Sequence, residues 1–124
     1  MATDHEHAIV LTTTDDPAEA AALARDLVDQ RLAACVQVTD ITSTYRWEGA
    51  LTSADERLLL IKTRSDRVAA VQAFLAEHHS YDTPEIVEVA IASGLPDYLG
   101  WIDESVDYVG PSWHWRLQVG RGST

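Results

Sequence analysis

The stretch "ACVQVTDITSTYRWEGALTSADERLLLIKTRS", residues 34–65, decides the fold. Val36 and Val38 start an alternating run, and Ile41, Ser43, Tyr45 and Trp47 share one face of a strand if no bulge intervenes. Glu48-Gly49 opens the turn region, and Leu58 to Thr63 is the returning, more buried strand. A continuous strand over 34–47 spans about 45 Å at ~3.3 Å per residue, whereas a usual strand is about 17–20 Å long. A small domain cannot cover so much hairpin alone. The far end carries Tyr45 and Trp47, an exposed aromatic patch in a single copy, which argues for self-association through the hairpin.

On the N-terminal side, "AIVLTTT" (8–14) reads as a short strand. In the following "DDPAEAAALARDLVDQRLAA", Asp16 suits an N-cap, Pro17 the first helical position, and Glu19 a capping-box partner. Ala20, Leu23, Ala24, Leu27 and Val28 form its apolar stripe. Beyond the hairpin, Ser65 is placed to cap "DRVAAVQAFLAEHH", with Val68, Val71, Phe74 and Leu75 facing the core. "EIVEVAIAS" (85–93) alternates as a strand with at least one buried face, and Pro96 starts a third helix, "DYLGWIDESV". "PSWHWRLQV" reads as a short extra strand. The order β-α-β-β-α-β gives an α+β, ferredoxin-like sandwich with an additional C-terminal helix. Both helices fall on one sheet face. The other face needs a cover, again pointing to self-association. One domain is expected over 1–124, its core about 8–106 and its extension 107–124.

The 46% hydrophobic content argues against general disorder, and no apolar run is long enough to cross a bilayer. Twenty acidic against nine basic side chains give a net charge of −11, which repels nucleic acid and anionic membranes and suits a soluble surface that attracts cations. The N-terminus lacks the pattern of a secretory signal. With Cys35 as the sole cysteine no intrachain disulfide forms, so a cytoplasmic location is the expectation.

In "HHSYDTPEI" (78–86), two histidines, a tyrosine and two carboxylates crowd around Pro84. Adjacent histidines on a helix diverge by about 100°, so one chain does not bring both to one ion. One histidine with Asp82 or Glu85 makes a weak two-ligand site; the alternative is a pair capping a helix end. Lys62, the single lysine beside eight arginines, either meets Glu56, Glu85 or Glu88 or holds an anionic ligand. Cys35 packs as a small hydrophobe or binds a soft cation such as Cu(I). Tyr45 and Trp47 are interface anchors or a stacking platform. There is no G-x-S-x-G, phosphate-binding glycine loop or H-E-x-x-H, so nothing argues for an enzyme.

"RLAACV" (31–36), "STYRWEG" (43–49), "LLLIKTR" (58–64), "HHSYDTPEI" and "DYLGWIDES" (97–105) resemble, in order, the motifs of the CutA divalent-cation tolerance proteins. The resemblance covers about residues 8–106. It implies a cytoplasmic homotrimer, related in architecture to PII-type signalling proteins, that binds copper or another divalent cation or a small ligand without requiring a cofactor. Carried over position by position, Cys35 matches the cysteine after the paired alanines and Lys62 the lysine of I-K-T. His79, Tyr81, Pro84 and Glu85 match H-P-Y-E-x-P-E. Ser80 departs from the proline and Asp82 from the glutamate or glutamine of that pattern, which implies a looser backbone before Tyr81. The expected cleft residues are Lys62, His79, Tyr81 and Glu85, supported by Tyr45 and Trp47, with His79, Cys35 and Asp82 as metal ligands. The partners are other copies of the chain and an unidentified protein, with no nucleic acid and no membrane. The rival readings are a PII-like trimeric sensor of an anionic metabolite and a small ferredoxin-like enzyme. "TTTDDPAEA" offers acid where a phosphate-binding enzyme of that fold needs an arginine-bearing loop.

Overall fold

The structure is a computed structural model that describes residues 5–106. The elements are β1 (His7–Thr14), α1 (Pro17–Asp29), β2 (Cys35–Trp47), β3 (Ala50–Arg64), α2 (Val68–His78), β4 (Val87–Ala90) and α3 (Pro96–Ser105). The four strands form one antiparallel sheet in the order β2-β3-β1-β4, the ferredoxin-like arrangement with α3 added. The candidate strand "PSWHWRLQV" lies outside the described residues.

The hairpin register is unbroken from Cys35↔Lys62 at one end to Trp47↔Ala50 at the other. No bulge intervenes, so Ile41, Ser43, Tyr45 and Trp47 do share a face. The turn is only Glu48-Gly49, at φ 50° and 82°, the left-handed pair whose twist matches that of the flanking strands. The returning strand therefore begins at Ala50, eight residues before the apolar run that marks it in the sequence. Ladder hydrogen bonds carry the polar "ALTSADE" as strand despite its weak β preference.

Ala8, Val10, Leu59 and Ile61 bury one sheet face against Ala20, Leu23 and Leu27 of α1 and Val68, Val71, Phe74 and Leu75 of α2. Asp16 caps α1 by accepting from Ala18 N at 2.9 Å. Its own N–H goes to Thr14 Oγ1, so Glu19 does not close the expected capping box and is free for another partner. The helix ends with Arg31 at φ 60°, its N–H on Val28 O and that of Leu32 on Leu27 O, both at 3.0 Å. Arg31 also donates to the Glu104 carbonyl at 2.9 Å and so ties α1 to α3. Ser65 does not cap α2. Its hydroxyl donates to His5 O, and a 3₁₀ turn at Ser65–Arg67 leads into the helix. Ile102 of α3 is fully buried with Ala34 and Val106.

The other sheet face is only partly covered. Ile9, Leu11, Leu58 and Leu60 are half-buried, and β4 is exposed throughout, with Val87 at 44% and Val89 at 47%. The buried face expected for that strand is absent because β4 is four residues long and lies at the sheet's edge. At the hairpin's end Trp47 is 62% and Leu51 77% exposed.

The turn sets the register of the whole hairpin and can be tested directly. Gly49→Ala meets no neighbouring atom, so its cost is backbone strain alone, about 1 kcal/mol. Glu48→Asn relieves strain at a left-handed position and raises the unfolding temperature, while Gly49→Ala lowers it. Thermal denaturation of both variants checks the pair.

Candidate functional site

The polar groups converge where the helical layer ends. α2 stops at His78, whose Nδ1 donates to Phe74 O at 2.9 Å while its ring stacks on Phe74 with centroids 4.2 Å apart. His78 thus folds its ring back onto the last turn of α2, while the C-cap is His79, whose N–H donates to Leu75 O at 2.9 Å. His79 has extended backbone and turns away, its Nε2 donating to Thr13 O at 2.8 Å and its Nδ1 accepting from Tyr81 N at 3.0 Å. These partners define a neutral imidazole protonated at Nε2. The His79 and Tyr81 rings lie 4.8 Å apart.

Tyr81 donates its hydroxyl to Glu56 Oε2 at 2.9 Å, and Ser43 Oγ donates to Glu56 Oε1 at 2.7 Å. Glu56 is only 8% exposed, the last buried side chain of β3 toward the hairpin turn. Burial, followed by the adjacent Glu56 carboxylate, pushes the Tyr81 phenol well above the usual tyrosine range. Tyr81 therefore acts as a hydrogen-bond donor and not as a base. A second carboxylate, Glu19, receives Thr14 Oγ1, Ser80 N at 2.7 Å and Ser80 Oγ at 2.9 Å. Partial burial alone raises its pKa, but the Thr14 and Ser80 donors outweigh this and hold it below its ordinary value. The looser backbone expected from Ser80 is not found: serine keeps the N–H and adds a hydroxyl, and Glu19 binds both.

Of the expected site residues, the fold brings together His79 and Tyr81. Tyr45 lies on the same face as Ser43, two residues nearer the turn, and Trp47 two further on. Asp82 and Glu85 are exposed on the loop that follows. Lys62 does not pair with Glu56, Glu85 or Glu88. It donates to Tyr98 Oη at 3.2 Å and sits 5.3 Å from that ring's centroid, a cation–π contact from α3. Cys35 is its half-buried cross-strand neighbour. Lys62 pairs with Ile9, and Thr13, the partner of His79, pairs with Leu58. That offset of four residues is about 13 Å along β3, so Cys35 and Lys62 stand apart from His79. Among the described residues no three His, Cys, Asp or Glu side chains gather where they can hold an ion.

Glu19, Ser43 and Thr14 are structural members of this network that the sequence did not single out for the site. The alternation of "ERLLL" places Glu56 on the side of Leu58 and Leu60, a face too apolar for an unpartnered carboxylate, and that was its signal.

Residues 8–105 match the family model described as CutA1 divalent ion tolerance protein. A divalent-cation tolerance protein CutA of Archaeoglobus fulgidus is 39% identical over 101 residues, covering 82% of this chain and 99% of that protein. One of Yersinia pestis is 38% identical over 99 residues, covering 79% and 83% respectively. The solved CutA of Xylella fastidiosa has a TM-score of 0.80 at 39% identity, over 82% of this chain and 99% of that one. The solved A. fulgidus protein, described as a periplasmic divalent cation tolerance protein, has a TM-score of 0.78 at 38% identity, over 80% and 97%.

Two substitutions test the network. Tyr81→Phe leaves the buried Glu56 short of a donor and costs about 1–3 kcal/mol in urea unfolding. The Glu19 contribution exists above its ordinary pKa of 4.5 and is lost as pH falls through the lowered folded value. The stability gap between wild type and Glu19→Gln is therefore full at pH 7 and narrows as pH falls below 4.5 and through the lowered folded value.

Proposed function

This chain belongs to the CutA1 divalent ion tolerance family, and from that premise we propose that it acts in divalent-cation tolerance as a homotrimer, with its ligand site between copies. The observation that carries this reading is the hairpin's overhang. Trp47, Tyr45 and Leu51 project beyond the helices with large exposed apolar area, beside an open sheet face lined by Leu58 and Leu60. Packing against further copies removes that area from water. Lys62 and His79 are held apart within one chain, so a cleft containing both, with Tyr45 and Trp47, draws on neighbouring copies.

The cation is cargo in this reading, and no catalytic step is invoked. His79 supplies an imidazole, and Asp82 and Glu85, exposed on the same loop, supply carboxylates. The resting His79 has both nitrogens occupied, so capture requires one internal bond to open. Copper suits this donor chemistry: imidazole and carboxylate serve Cu(II), while the Cys35 thiolate serves Cu(I) at a separate place.

The cytoplasmic location expected from the sequence is corrected. A. fulgidus CutA, 38% identical to this chain, is described as periplasmic, which points to a periplasmic location instead. A lone cysteine was a poor guide, because it forms no intrachain disulfide in either compartment.

Native mass measurement at micromolar concentration is expected to give three times the 13.7 kDa chain mass; the mass of one chain removes the trimer. By calorimetry, His79→Ala is expected to weaken Cu(II) binding about tenfold, the loss of one ligand contact. Cys35→Ala weakens Cu(I) binding instead. Unchanged affinities in both variants remove these residues as ligands.

A further inference from the structure

We infer that Glu19 is a latch on the His79 loop: through Ser80 it fixes the orientation and tautomer of the imidazole and so opposes cation capture there. The inference rests on the cation-binding reading of His79 and names the residue that regulates it. Glu19 projects from the first turn of α1, and its carboxylate collects the Thr14 hydroxyl together with the N–H and Oγ of Ser80. Ser80 is the one residue between His79 and Tyr81. Holding it at two atoms fixes the backbone that carries the Tyr81 N–H onto His79 Nδ1.

The other side of the ring returns to the same carboxylate. His79 Nε2 binds the carbonyl of Thr13, and the next residue, Thr14, gives its hydroxyl to Glu19. A cation at Nδ1 must displace the Tyr81 N–H. A cation at Nε2 must first send the ring proton to Nδ1, where that same N–H opposes it. Either route requires the Ser80 segment to yield. The proline found here in the motif that this loop resembles has no N–H and no hydroxyl, so the double contact depends on serine.

The test uses the full chain. In metal-free Glu19→Ala, ¹⁵N spectra of His79 are expected to show loss of the single Nε2–H tautomer. Exchange of the Tyr81 amide should rise at least about tenfold. Cu(II) affinity should rise about fivefold, the worth of one net hydrogen bond, with the gain abolished by adding His79→Ala. Ser80→Ala, at an exposed position, removes only the hydroxyl contact and gives a smaller shift in the same direction, which keeps the test intact if Glu19→Ala does not fold. An unchanged tautomer and exchange rate overturn the latch, as does Cu(II) affinity that fails to rise while His79→Ala still weakens binding. Affinity indifferent to His79→Ala overturns the cation reading alone, because tautomer and exchange are read without metal.

Discussion

The architecture depends on a mismatch of lengths. α1 has 13 residues and α2 has 11, so at about 1.5 Å per residue neither helix exceeds roughly 20 Å. The unbroken ladder of β2 and β3 joins strands of 13 and 15 residues, about 43–50 Å at ~3.3 Å per residue. Half of the hairpin therefore lies beyond any helix of its own chain. The Glu48-Gly49 turn enforces this, since a two-residue connection leaves the strands no slack to separate. Everything past Glu56 is exposed or half-buried as a consequence, and the aromatic residues there await a surface the single chain does not provide.

The same boundary explains why the polar network lies where it does. α2 ends at His78, and the loop that follows turns back onto two strands of the sheet. Tyr81 reaches with its hydroxyl to Glu56 on the face of Leu58 and Leu60, so that a buried carboxylate is satisfied from both the loop and Ser43 of the hairpin. His79 ties the same loop to β1 through Thr13. The groups that resemble a ligand site thus tie the loop to the sheet, and the resting state spends their hydrogen-bonding capacity internally.

Much of the fold was legible because local and long-range preferences agreed. Asp16-Pro17 marks the start of α1, its apolar stripe marks the buried face, and the alternation through Trp47 survives in register. Tertiary contacts decided what was not legible. Glu19 has the spacing of a capping box, but Thr14 takes the Asp16 N–H and Ser80 takes Glu19. Lys62 meets none of Glu56, Glu85 and Glu88 because α3 brings Tyr98 over it, a contact between residues 36 apart in the chain. β4 alternates like a half-buried strand but lies at an edge where one chain covers neither face. At the candidate site, the motif order singled out His79 and Tyr81; their partners Thr13 and Glu56, and Ser43 that shares Glu56, lie on three different strands and follow only from the register.

Positive charge is distributed according to the contact geometry each cation can make. Arg57 pairs with Asp40 and Arg64 with Asp66, both through Nε at 3.0 Å, the directional contacts a guanidinium makes well. Lys62 instead lies against an aromatic face, where a compact ammonium gains from the ring's electrons without needing a fixed fork of donors. Tyr98 thus turns a charge inside an apolar strand into part of the α3 contact, while His7 anchors the same helix through Asp103 at 2.8 Å. Lys62 is engaged by α3 and His79 by β1, and the hairpin end stands apart from both contacts. It carries Tyr45, Trp47 and Leu51, all exposed. In the proposed assembly this end supplies the aromatic side of the cleft between copies, so the apolar area that favours association and the cleft are one surface.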